Sequence, residues 1–486
     1  VHDTEKAMNG AWRELLSGRH LGVVTVLAGG VALYATNVYL TAGLLPTAID
    51  DIGGLQFYAW TSVAFLIGSV ASATVVSRTL GARGPRGAYL TGLALFALGS
   101  TVCAASPSME VLLVGRGLQG LGGGLLAGLG YATINLALPP RLWTRASGLV
   151  SAMWGVGTFA GPTIGGAFAQ FGSWRAAFAV LVVATATVAV LVPLALPRKT
   201  GSTDTPGRLP VMPFALLIAA TTAVAVGGIV GNAAVSALAV AGACALVVAF
   251  VAADRRSPAG VLPSSTFGPS RLRWVYLTVA ALAAASTVET FVPLFGDRLA
   301  GLAPLPAGFL GAALALGWTL GELSSAAVSG PSAVRRIVRG GPLVVACGLL
   351  SATLLVPDGA DTVRIAGWAV GLALAGAGIG LAWPHLTVAA MASATGVEGA
   401  QAAAGINTVQ LVANAFGAAL AGVLVNLGGL DVRSAQVLFG AFAGLAVAGV
   451  ELARRATPRP APPPGPDRAA ASGQPRARAA CTRSHK

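Results

Sequence analysis

The sequence predicts an all-α protein that crosses a membrane many times, and three observations carry that prediction. Over 486 residues the chain is 55% hydrophobic and only 10% charged, with a mean hydropathy of +0.76; soluble domains carry about 25% charge. Its apolar residues gather into about 14 runs of membrane-spanning length, ~20 residues each. Its cations gather too. With the N-terminus inside, 26 of the 31 Lys and Arg fall in the cytoplasmic loops and tails, four fall outside, and Arg116 lies within a run. The positive-inside rule gives that split for an even number of spans with both termini in the cytoplasm. An odd count would reverse every loop beyond the error.

Taken in order, the first six runs are Leu21–Leu45, Phe57–Val76, Gly87–Ala105, Val111–Leu138, Ala146–Phe168 and Trp174–Leu196. Two more, Val211–Gly231 and Val235–Ala252, lie between the polar, Pro-bearing joints Pro197–Pro210 and Asp254–Arg273. The last six are Trp274–Phe295, Pro306–Val328, Pro342–Val356, Ile365–Met391, Ala400–Leu427 and Ala435–Leu452. The halves repeat: a shift of 253 residues lays Gly68, Ser72, Ala73, Arg83, Arg86 and Gly87 on Gly321, Ser325, Ala326, Arg336, Arg339 and Gly340. The expected organisation is a cytoplasmic segment over 1–20, a six-helix bundle over 21–197, and linkers plus two inserted helices over 198–272. A second six-helix bundle follows over 273–455, then a Pro-rich basic tail over 456–486 with too little apolar surface to fold.

The fifth run holds the densest pattern. Gly157, Gly161 and Gly165 recur every four residues and so share one helix face, with Gly155 and Gly166 beside them. Such small residues let helix backbones approach closely in lipid. Pro162 removes a backbone donor in their midst, which predicts a bend. The fourth run carries Arg116, Gln119 and Gly120. An unpaired Arg in hydrocarbon costs at least about 2.5–3.5 kcal/mol, so Arg116 is expected to face a protein-lined or wet cavity, or to brace or snorkel.

These strings resemble motifs of the major facilitator superfamily. The run Gly155 to Gly166, with Gly161-Pro162 inside it, resembles the antiporter motif in the fifth helix of exporters. Arg116-Gly117-Leu118-Gln119-Gly120 resembles the fourth-helix motif, whose Arg is implicated in proton transfer. The loop Ser77–Arg86, with Arg78, Gly81, Arg83 and Arg86, resembles the superfamily's signature loop only in part. That loop normally carries an Asp before its first Arg, and here no acid lies between Asp51 and Glu110. It reads either as a charge latch built differently or as a topology-setting loop. Over nearly its whole length the chain resembles exporters of the drug:proton antiporter-2 type. These often have an Asp in the first helix, ahead of a Leu-Pro pair; here Leu45-Pro46 is present and the place is taken by Asn37, which cannot titrate. The resemblance implies the major facilitator fold: two six-helix bundles plus a two-helix insert, with alternating access to a cavity between the bundles.

Two acids lie well inside spans, Glu289 and Glu322, at about 24 Å and about 9 Å from the inner face at 1.5 Å per residue. Glu289, remote from basic residues in sequence, is the preferred proton site, because intramembrane acids are functional by default. Glu322 reads equally as a proton site and as a structural partner for Arg335, Arg336 or Arg339. His385 is either a titrating group or a packed hydrogen bonder. Asn407, Gln410 and Asn414 either line a substrate cavity or bridge helices. Trp154, Trp318 and Trp383 are candidate cavity walls; Trp60 fits an interfacial anchor as well.

The function read from this is proton-coupled export of amphipathic small molecules, the expected partners being the substrate, protons and the lipid bilayer of the plasma membrane, with a monomer expected. Export of one lipid or metabolite, nutrient uptake, and a non-transporting sensor or assembly protein are the alternatives. The net charge of +14 is absorbed by topology and requires no nucleic acid. Neither an enzyme nor ATP drive is expected: HExxH, GxSxG and GxxxxGK[ST] are lacking. Neither a cofactor nor a metal is expected, since the four Cys are scattered without ligand spacing.

Overall fold

The computed structural model describes residues 12–54, 57, 60–170, 173–198, 211–229, 233–257, 260–302, 304–393, 396–428 and 431–457. Fourteen long helices run through them, numbered here in chain order. The first six are α1 (Gly18–Ile52), α2 (Trp60–Ala73), α3 (Val76–Ala104), α4 (Met109–Ala132), α5 (Trp143–Gln170) and α6 (Trp174–Ala195). Then come α7 (Val211–Ile229) and α8 (Ala233–Arg256). The last six are α9 (Leu272–Ala300), α10 (Pro304–Ser325), α11 (Pro331–Leu354), α12 (Thr362–Met391), α13 (Gly396–Gly428) and α14 (Val432–Ala456). Each lies on one of the apolar runs. Ten helices among the described residues are long and apolar enough to cross a membrane, and two shorter apolar helices accompany them. Lipid cannot hydrogen-bond a backbone, so a chain of this composition satisfies its peptide groups within helices. This is a multi-pass membrane protein. The tail beyond 457, the first eleven residues and the 199–210 joint lie outside the described residues.

The pairing of helices repeats between the halves. In the first six, α1 packs on α4, α5 and α6, while α3 and α4 pack on each other, α2 on α4, and α3 on α6. In the last six, α9 packs on α12, α13 and α14, with α11 on α12, α10 on α12, and α11 on α14. Every pair has its counterpart. The helix starts carry the same register: Met109 and Thr362 are 253 residues apart, as are Trp143 and Gly396. Parallel repeats of this kind join about an axis along the membrane normal. Across the junction α5 meets α10 and α12, and symmetrically α13 meets α2 and α4. The inserted α7 and α8 pack on each other and lie against α13, with α7 also on α2. Val224 and Ala243 of the insert share a small apolar cluster with Ala415 and Ala419 of α13.

Two segments read as loops are helical. The basic stretch Ser77–Arg86 forms the first turns of α3, broken where Gly84 takes φ 68° ahead of Pro85. Arg335, Arg336 and Arg339 likewise sit in the first turns of α11. Their cations are exposed or half-exposed, so helix formation satisfies the backbones without burying charge.

The glycine face of α5 packs within the first six helices. Gly157 and Gly161 lie against the Ala35–Leu40 stretch of α1, and Gly165 against the Leu40 carbonyl. A Cβ on Gly161 would stand 2.8 Å from the Leu40 amide nitrogen, so the two backbones touch there. The face turned to the other half is different: Gly148 meets Ala326 of α10 and Gly155 meets Thr319. Pro162 and Gly166 lie inside α5, their side-chain surroundings outside the described part. Gly161→Leu is expected to push α1 from α5, at about 1–3 kcal/mol or more for the overpacking. A lowered thermal midpoint in detergent, with lost export and normal membrane abundance, is the expected outcome. A variant that keeps the parental midpoint and export rate refutes the close-contact role.

Candidate functional site

The two halves enclose a small pocket of about 60 Å³ lined from five helices. Tyr39 of α1 and Trp154, Gly155 and Thr158 of α5 form one side. Ser286 and Glu289 of α9, Ala315 and Trp318 of α10, and Gln410 and Asn414 of α13 form the other. Glu289 is half-buried, and Tyr39 Oη donates to its Oε1 at 3.3 Å. The helices α1 and α9 that carry this pair are repeat counterparts meeting across the junction.

Local chain chemistry explains how Glu289 reaches the pocket. The α-helix of α9 stops at Ser286 and resumes at Val292, with a 3₁₀ segment, Thr287–Phe291, between. Pro293 has no N–H to give the Glu289 carbonyl four residues back. The Val292 amide bonds that carbonyl instead, at the tighter 3₁₀ spacing. Ser286 and Thr287 turn their hydroxyls back onto the Ala283 and Ala284 carbonyls at 2.8 and 2.7 Å, a pattern that bends helices. The break re-aims one residue, and that residue is the acid.

Of the residues read from the sequence, Glu289, Trp154, Trp318, Gln410, Asn414 and Gly155 meet here. Others do not line this pocket. Gln119 is fully buried, accepting from Arg116 Nη1 at 2.9 Å and donating to Ser100 Oγ at 2.9 Å; it braces α3 and α4 rather than lining this pocket. Arg116 also donates from Nε to the Thr61 carbonyl at 3.2 Å, and its guanidinium lies 4.4 Å from the Phe65 ring centroid. It is held by neutral groups, with no ion pair among the described residues. Asn37 and Asn407 are fully buried with neither amide atom bonded. Trp383 is buried against Trp318, and His385 shares a 2.9 Å hydrogen bond with Ser325. Glu322 is fully buried and, among the described residues, ion-paired neither to Arg335, Arg336 or Arg339 nor to any other cation. The structural pairing offered for it does not form among the described residues: those cations lie exposed or half-exposed in the first turns of α11, and Glu322 is buried. Sequence reasoning passed over Tyr39, Thr158 and Ser286, ordinary residues in apolar runs. Pro293, four residues past Glu289, was the available signal for the break. Among the described residues no three His, Cys, Asp or Glu gather as metal ligands do.

The basic stretch has its acid after all, supplied from the insert. Asp254, at the end of α8, faces Arg78 closely enough for the two charges to attract. Its carboxylate also accepts from the amides of Val261 and Leu262 at 2.6 and 3.0 Å. On the far side of that turn, Gln401 of α13 donates to the Gly260 carbonyl at 2.8 Å. One buried acid thus ties the α2–α3 corner to the start of α13. Arg83 turns away, donating to Thr91 Oγ1 at 2.6 Å. Asp254→Asn is expected to lower thermal stability by about 1.5–3 kcal/mol, the worth of hydrogen bonds to a charged group. Paired with Arg78→Gln in a double-mutant cycle, it is expected to show coupling of up to about 1 kcal/mol at this partly exposed cation. Strict additivity of the two changes rejects the pairing.

Comparison with known proteins places this geometry. The chain is 51% identical, over 93% of its length and 97% of the relative, to a protein of Mycobacterium tuberculosis (strain H37Rv) named probable multidrug-efflux transporter. It is 23% identical to a multidrug transporter protein of Bacillus subtilis (strain 168), covering 83% of this chain and 75% of that one. The crystal structure of the human organic anion transporter MFSD10 superposes with a TM-score of 0.67 at 16% identity, covering 89% of this chain and 99% of that one, a likeness of fold. The family model described as Major Facilitator Superfamily matches residues 27–405. The chain belongs to the major facilitator superfamily.

Proposed function

We propose that this protein is a proton-coupled exporter of amphipathic small molecules, a multidrug antiporter of the 14-helix drug:proton antiporter-2 type. It works in the plasma membrane by alternating access, with both termini in the cytoplasm and the bundles over 21–197 and 273–455 as its moving halves. The observation that carries the reading is Glu289, an acid without a cationic partner among the described residues, in a pocket shared by both halves. Two further features support it. The pocket's indoles and amides offer an amphipath apolar walls with few fixed polar contacts, which favours breadth over selectivity. An apolar groove of about 590 Å³ also runs between α5 and α10 and shares Gly155 with the pocket, a route for a lipid-dissolved compound. The relative's printed name, multidrug efflux, agrees.

Antiport follows if proton and substrate compete for one carboxylate. Water reaches Glu289 from one side of the membrane at a time, and a cationic or hydrogen-bonding substrate displaces its proton. Arg116 and Gln119 hold α4 rigid behind the site, and Asn37, in place of an acid, contributes hydrogen bonds only.

Everted membrane vesicles test the reading. Glu289→Gln keeps shape and hydrogen bonding but cannot titrate. Its uptake of ethidium driven by an imposed pH gradient is expected to fall by about tenfold or more, the loss of about 1.4 kcal/mol or more of coupling. Tyr39→Phe removes one neutral hydrogen bond, about 1 kcal/mol, and is expected to lower the rate less than tenfold. Wild-type gradient-driven uptake by the Glu289→Gln vesicles overturns the assignment. A parent protein that moves no compound from a panel of lipophilic cations and anions overturns export itself and favours a sensor.

A further inference from the structure

A second acid lies closer to the basic end of the bundle. Glu322 is fully buried, and neither carboxyl oxygen has a hydrogen-bond partner. Ser151 of α5 and the Trp318 indole face it. Tyr131 of α4 lies near it as well, facing Ser151 and the Trp383 indole. The hydroxyls of Tyr131 and Ser151 and both indole N–H groups are buried and unbonded too. Five polar side chains from α4, α5, α10 and α12, hence from both halves, are aimed at one place and close no bond. Buried polar groups are ordinarily paired, so a cluster left open in this way has hydrogen-bonding capacity to offer a proton or a water.

The groups that could set its charge are few. From α4 comes Tyr131, and from α5 the uncharged Ser151. Gly148 faces Glu322, whose Cγ would stand 3.7 Å from a Cβ built there, and Arg145, about a turn further, makes no ion pair with it among the described residues. From α12 comes His385, engaged with Ser325, one turn past Glu322. An ionised carboxylate buried without cation or donor bonds is strongly disfavoured, whereas a neutral acid fits and can donate to a hydroxyl oxygen. Trp318 stands between the two acids. It lines the Glu289 pocket, faces Glu322, and stacks on Trp383 with ring centroids 5.1 Å apart.

We propose that Glu322 is a second, inner proton-binding site, holding one proton while the Trp318–Trp383 pair seals it from the Glu289 pocket. When α5 and α10 part at the basic end, that proton leaves to cytoplasmic water. The carboxylate left behind is reprotonated from the Glu289 pocket when the Trp318–Trp383 seal opens, so the proton it releases is replaced from the other side. This rests on the alternating-access reading above, and adds to it a separate inner stop for the proton.

Infrared spectroscopy of the full-length protein in lipid nanodiscs at neutral pH tests this without any substrate. The parent is expected to show the carbonyl band of a neutral carboxylic acid that exchanges slowly in heavy water. Glu322→Gln is expected to remove that band, and Glu322→Asp to shift it should the glutamine variant fail to fold. Glu289→Gln is expected to leave it in place. Trp318→Ala is expected to speed its deuterium exchange by about tenfold or more, since exchange follows local opening. A spectrum in which neither Glu322 variant changes the neutral-acid region means Glu322 is ionised and overturns the site. Unchanged exchange in Trp318→Ala overturns the seal. Failure of the Glu289 assignment appears instead in the transport assay, where Glu289→Gln vesicles would still pump.

Discussion

Within a bilayer no water is at hand to solvate a polar group, so every such group must be satisfied by the protein or stand where water can arrive. That constraint sorts the interior of this protein. Arg116, Gln119 and Ser100 satisfy one another and the Thr61 carbonyl, and Arg116 rests on the Phe65 ring. They belong to the architecture of the first bundle. Glu289, Glu322, Asn37, Asn407, Gln410 and Asn414 lack that closure wholly or in part. They stand on helices that meet at the junction between the halves. The satisfied groups brace the first bundle, and the unsatisfied ones lie on helices that face the other half.

Rigidity within halves and exchange between them call for different contacts on the same helix, and α5 has both. Its Gly157, Gly161 and Gly165 face locks backbone to backbone on α1. Its Gly148 and Gly155 meet side chains of α10, at Ala326 and Thr319. Backbone-to-backbone contact resists sliding, because any shift drives carbonyls into Cα atoms. A small-residue contact on side chains slides more easily. The fifth-helix motif therefore serves both contacts: its Gly157, Gly161 and Gly165 pack within a half, and its Gly155 lies on the face turned to α10.

Much of the fold was legible. Apolar run length placed every helix, because a span needs ~20 apolar residues and loops in water need none. The repeat was legible from one basic corner, and its 253-residue shift also aligns the starts of α12 and α13 with those of α4 and α5. Glu289 could be found by scarcity, since acids inside spans are few. What stayed hidden depended on pairing between helices distant in sequence. Tyr39 and Glu289 are 250 residues apart, and nothing local ties them. Gln119 matched a motif, yet whether an amide in a helix turns to a cavity or to Ser100 is decided by packing. The acid for Arg78 was sought beside it and lies instead at Asp254, across the insert. Loops also proved to be helices where exposed or half-exposed cations let helical turns form.

The insert breaks the symmetry that the two bundles otherwise keep, and it breaks it in one direction. By the repeat, the α5–α10 junction corresponds to the α13–α2 junction. Among the described residues the second alone is covered, by α7 and α8, with Val224 and Ala243 against Ala415 and Ala419. The first carries an open apolar groove beside the Glu289 pocket. The same insert ends in Asp254, which holds the turn between Arg78 of the first half and Gln401 of the second. A pair of helices added between two equal bundles thus closes one flank and fastens it at the basic end. The opposite flank stays free to widen. One covered flank and one grooved flank make the two sides of the junction unequal, which two identical bundles alone could not do.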